Sequence, residues 1–72
     1  MEIERLRYMA DQIARNFAVL GENEAIAATA DHIAKFWDPR MKAQILADDR
    51  EALSAMVSSA LDRLQTAAGG SR

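Results

Sequence analysis

The 72-residue chain has no cysteine, one histidine, one proline and three glycines, and its aromatic residues are two Phe, one Trp and one Tyr. Without cysteine there can be no disulfide and no thiolate-bound zinc or iron–sulfur cluster, and a single histidine cannot supply an ordinary His-rich metal centre. Charge of one sign is missing as well. Nine Lys+Arg mixed among eleven Asp+Glu leave a formal net charge of −2, so the chain lacks the concentrated basic field that nucleic acid or an anionic membrane requires. Its apolar residues never run unbroken for the ~20 positions a membrane helix needs. The start, Met1-Glu2-Ile3-Glu4-Arg5, has no basic head followed by an apolar run, so it does not read as a signal peptide. These absences point to the cytoplasm. A chain this short is one domain at most and draws only about 3–5 kcal/mol from its core unless stapled. With no staple available, the expected support is another polypeptide.

What is present favours helix. Alanine fills 15 of the 72 positions, β-branched residues are sparse and breakers sit at only a few places, which predicts an all-α chain. The expected architecture is a small bundle of three to four helices, a single domain over residues 1–68 with a flexible tail at 69–72. In a first helix over residues 3–20, Ile3, Leu6, Ala10, Ile13, Phe17 and Leu20 recur at spacings of three and four with Met9 beside them, and Gly21 stops the run. Asp11 and Arg15, opposite this stripe, have the favourable acid-first order of an exposed helix pair. A second helix is expected from Asn23, as N-cap, to about Phe36. One of its apolar rows is Ile26, Ala30, Ile33 and Trp37, and a neighbouring row is Ala25, Thr29, His32 and Phe36. So wide an apolar surface is more than one small neighbour covers.

Asp38-Pro39 breaks that helix and can open a third, with Asp38 as N-cap and Pro39 as first helical residue, running to about Ala47. Asp48 followed by Glu51 approximates a capping box for a fourth helix over residues 49–66. Its core stripe is Leu53, Met56, Val57, Ala60, Leu61 and Leu64.

Little in this pattern resembles chemistry. A nucleophile needs a base held by a third group, and the only histidine, His32, has Thr29 as its nearest hydroxyl, one turn away. The carboxylates Glu22/Glu24 and Asp48/Asp49/Glu51 all fall at expected helix starts, where capping and the helix dipole account for them. No glycine-rich phosphate loop exists. The four methionines are dispersed as core fillers would be. No catalytic, cofactor-binding or metal-ligating residue is therefore expected in this chain.

One segment stands apart. Lys35-Phe36-Trp37-Asp38-Pro39-Arg40-Met41 places two adjacent aromatics, the only proline and two basic residues at a corner between helices. Trp and Arg are enriched at binding hot spots, and a corner can hold them outward. Alternatively, Phe36 and Trp37 seal the end of a small core. On the outward reading, Trp37→Ala or Arg40→Ala weakens association with a partner while leaving helicity largely intact. On the first helix, Arg5, Gln12 and Asn16 form a polar row bordering the apolar stripe, suited either to solvent or to the rim of an interface.

Three stretches, Asp11-Gln12-Ile13-Ala14-Arg15-Asn16-Phe17, Ala27-Ala28-Thr29-Ala30-Asp31-His32-Ile33 and Lys35-Phe36-Trp37-Asp38-Pro39-Arg40-Met41, resemble the delta subunit of cytoplasmic, molybdenum-containing, NAD-dependent formate dehydrogenases. The resemblance implies a non-catalytic accessory subunit. In that family the large alpha subunit holds the bis-molybdopterin guanine dinucleotide at which formate is oxidised, and iron–sulfur clusters pass electrons to FMN, which reduces NAD. The implied partner is the large subunit. By mapping onto the motif, Phe36, Trp37, Pro39 and Arg40 are the expected docking corner, with Gln12, Arg15 and Asn16 as a second contact row. A different class of reading is a free-standing module that homodimerises through the apolar surface of the second helix. Nucleic acid and membrane are not expected partners.

Overall fold

Helical periodicity with few interior breakers carries the chain into helices. The computed structural model describes residues 2–69, and among them lie α1 (Ile3–Phe17), α2 (Glu22–Phe36), α3 (Pro39–Leu46) and α4 (Ala55–Gly69), with 3-10 turns at Ala18–Leu20 and Arg50–Ala52. It is the expected small all-α bundle. Gly69, the first residue of the expected tail, is the last of α4, and the rest of that tail lies outside the described residues.

The middle of the bundle is α2, which packs on both α1 and α4. Its buried positions are Ala25, Thr29, Ala30 and Ile33, and it meets Leu6, Ala10 and Ala14 of α1 and Val57, Ala60, Leu61 and Leu64 of α4. Alanine on the facing sides lets helix backbones approach closely, so a small chain reaches close packing with few large side chains. Ile45 of α3 and Trp37 close the same cluster. The two neighbours cover Ala25, Thr29, Ala30 and Ile33 of the apolar surface on which the homodimer reading rests, and Phe36 stays exposed.

Besides the longer end of α4, helix ends depart from the sequence expectation in three places. The first helix yields at Phe17 to a 3-10 turn, and Leu20, expected in the apolar stripe, is 48% exposed. The second helix begins one residue after Gly21, not at Asn23 as cap. Gly21 has φ +98° and is the residue that reverses the chain there, so Asn23 already lies inside the helix. The fourth helix starts at Ala55, six residues later than expected. Asp49 caps the intervening 3-10 turn by accepting from the Glu51 N–H, and Ser54 Oγ accepts from the Val57 N–H at the true start. The Asp38-Pro39 start of α3 matches expectation, since Asp38 Oδ1 accepts from the Met41 N–H at 2.9 Å.

Asp48 is not a cap because a distant partner claims it. Arg7 of α1 donates Nε–H to Asp48 Oδ2 at 2.6 Å and an Nη2–H to Oδ1 at 2.7 Å, a bidentate bond across 41 positions of sequence. It clasps the segment after α3 onto α1. A second arginine, Arg50, fastens the 3-10 turn to α4 by donating to the Ser58 carbonyl and to Asp62.

The hydrogen bond from Arg7 holds the Asp48 carboxyl below the usual carboxylate range, against the opposing cost of its desolvation. A carboxylate whose folded pKa is depressed contributes stability that is present above its unfolded value, about 3.9, and lost as pH falls below it. Urea denaturation followed by circular dichroism should therefore give a midpoint that falls as pH drops below about 4. In Asp48→Asn the midpoint is lower at neutral pH and the acid slope shallower; an unchanged slope would mean that the clasp contributes nothing.

Candidate docking site

The corner after α2 separates its two aromatics. Successive helical side chains point about 100° apart, and Trp37 continues the inward row of Ile26, Ala30 and Ile33, whereas Phe36 falls outside it. Trp37 is 5% exposed and Phe36 is 72% exposed. The Trp37 N–H still donates to the Ile33 carbonyl at 3.1 Å, the last bond of the helix, before φ −88° and ψ 140° turn the backbone into the extended Asp38. Trp37 is thus buried, contrary to the outward reading for that residue. Its ring is needed inside, because α2 has no other large side chain at that end to plug the core. Pro39 and Arg40 are exposed, as that reading placed them.

Positive charge gathers at this end of α2. Lys42 Nζ donates to the Ala34 carbonyl at 3.1 Å, satisfying one of the acceptors a helix end leaves free. Lys35 pairs with Asp31 at 3.1 Å on the exposed face. The Arg40 side chain has no ion pair or hydrogen bond among the described residues. The one carboxylate within the corner, Asp38, is committed to the α3 cap.

An aromatic strip leads from the corner towards α1. The His32 ring lies between Phe36, at a centroid distance of 4.7 Å, and Phe17, at 6.3 Å in an edge-on arrangement. The sequence pattern already placed His32 and Phe36 in one row of α2, a turn apart. What it could not supply was Phe17, because only the packing of α1 on α2 brings that ring across.

The second expected row lies on α1. Gln12, half-buried, and Asn16, exposed, follow one flank of α1 a turn apart. Arg15 lies about 100° round the helix from Asn16, bonded to Asp11 at 3.0 Å beside Ala14, Ala18, Ser54 and Met56 in a shallow groove against the start of α4. Gln12 lies between the other two, with Arg15 three and Asn16 four residues on, so the three span one side of α1.

The neighbours of His32 on this strip are rings. Thr29, the hydroxyl nearest to it in sequence on that face, is fully buried and its Oγ1 has no hydrogen-bond partner. Among the described residues no three of His, Asp and Glu converge as metal ligands, and no helix is long and apolar enough to cross a membrane. The arrangement suits a protein contact: a rigidly held exposed ring, an unpaired guanidinium and a proline-stiffened backbone.

A family model described as NADH-dependant formate dehydrogenase delta subunit FdsD matches residues 5–61, more than half of the chain and including the whole corner. No curated protein and no solved structure matches.

The opposite fates of adjacent aromatics give a direct test. Trp37→Ala should cost about 3–5 kcal/mol, as much as the roughly 3–5 kcal/mol a core of this size supplies, and far-UV circular dichroism should show much of the helix lost. Phe36→Ala should stay within about 0.5 kcal/mol of the parent. Equal effects of the two substitutions would contradict the assigned burial.

Proposed function

Since the chain belongs to the family of delta subunits of NADH-dependent formate dehydrogenase, we propose that it is a non-catalytic accessory subunit of a cytoplasmic complex of that kind. It docks on the large molybdenum subunit and supports assembly or stability of the enzyme. The observation that carries this reading is the corner itself, where Phe36 stands 72% exposed beside exposed Pro39 and Arg40 while Trp37 underneath fixes the backbone. An exposed ring held this way loses little entropy on binding and gains most of its burial energy at the interface.

Phe36 is the anchor, Arg40 the group that pairs or hydrogen-bonds at its edge, and Pro39 the stiffener. Gln12 and Asn16 serve as polar rim contacts on the α1 flank, while Arg15 makes a separate contact on the α4 side. The bis-molybdopterin guanine dinucleotide, iron–sulfur clusters, FMN and NAD of such a complex belong to its other subunits. The cysteine-free sequence supports that division, because it offers no thiolate to a cluster.

Co-expression with the large subunit tests the reading. Phe36→Ala and Arg40→Glu should each leave the circular dichroism spectrum unchanged and weaken retention on the tagged large subunit, Phe36→Ala by about tenfold or more. Retention of both variants at the parent's yield would remove the corner from the interface.

A further inference from the structure

A second exposed apolar point lies at the opposite end of α2. Val19 and Leu20 are 88% and 48% exposed on the 3-10 turn that ends α1. The turn is well defined: the Gly21 N–H donates to the Ala18 carbonyl at 3.1 Å, and Gly21 at φ +98° starts the return into α2. Only the glycine is demanded by that backbone. Positions 19 and 20 would accept the small polar residues that turns ordinarily carry, so two bulky aliphatic side chains held into solvent have no explanation inside the fold.

Their surroundings have a sign. Glu22 and Glu24, both exposed and without an ion pair among the described residues, follow directly in the first turn of α2. The fifteen residues of α2 set this tip about 22 Å from the Phe36 corner. One end of the helix is therefore aliphatic with an acidic flank, and the other is aromatic with Lys35, Arg40 and Lys42 around it.

We infer that Val19 and Leu20 form a second docking tip, which takes an apolar recess rimmed by basic groups on a protein subunit, so that the chain bridges two surfaces of opposite charge. Charge complementarity selects the occupant, since Glu22 and Glu24 repel anionic lipid and nucleic acid and favour a basic protein rim. A second copy could offer only its basic Phe36 corner, which the docking proposed above already occupies; to that extent the inference rests on that proposal. Copies joined tip to corner would form head-to-tail rings or filaments whose size grows with concentration.

The test uses the assembled complex, with a photo-crosslinking residue placed at position 19 or at position 36 in separate preparations. Both should crosslink to other subunits, at different peptides. In addition, Val19→Ser/Leu20→Ser should lower retention of the chain in the complex by about tenfold with circular dichroism unchanged, and the charge-neutralising Glu22→Gln/Glu24→Gln should lower it too and weaken its dependence on salt. Crosslinking from position 36 alone overturns the second tip and leaves the docking corner standing. Crosslinking from position 19 to another copy of this chain overturns the bridge in favour of self-association. Silence at both positions overturns the docking proposal and the bridge together.

Discussion

The structure depends on α2 being buried from two sides by small residues. A chain of 72 residues has too little apolar surface to build a thick core, so its stability comes from close approach of helices rather than from many large side chains. Ala10 and Ala14 on α1, Ala25 and Ala30 on α2 and Ala60 on α4 are all buried, and each lets a neighbouring backbone come near. Leu6, Ile33, Ile45 and Leu61 then fill the space between. Such a core tolerates little: truncating one of these four removes energy comparable to the stability of the whole domain.

The docking corner follows from that constraint. With the core short of volume at the end of α2, Trp37 must turn in, and the helical step of about 100° then sends Phe36 out. Pro39 and the Asp38 cap fix the backbone immediately afterwards. One local arrangement therefore closes the core with Trp37 and leaves Phe36 exposed. The clasps from Arg7 to Asp48 and from Arg50 to α4 serve a parallel purpose on the other side, tying the irregular segment between α3 and α4 to the helices around it.

Membership of the delta-subunit family gives this economy a context. A subunit that lives against other proteins can leave hydrophobic groups outside, because association covers them. Phe36 at one end of α2 and Val19 and Leu20 at the other are so exposed, as is Tyr8 on α1; Glu22 and Glu24 flank the Val19 end, and Lys35, Arg40 and Lys42 lie with Asp31 and Asp38 at the Phe36 end. Polarity along a single helix would orient the chain on its partners as well as hold it there.

The sequence by itself determined the class of fold, the inward rows of α1, α2 and α4, and the proline corner with its Asp38 cap, because those depend on local periodicity and on what Pro and Asp do to their own backbone. It carried the family resemblance too, through the run from Lys35 to Met41. Only the tertiary structure decided where charged groups went. Asp48 looks like a cap when read with its neighbours and becomes Arg7's partner only when α1 lies beside it, which moves the start of the last helix to Ser54 and Ala55. Likewise, Trp37 and Phe36 are equivalent as adjacent aromatics in a sequence. Which of them faces the core depends on the direction from which α1 and α4 cover α2, and that direction is a property of the packed bundle, not of any one segment.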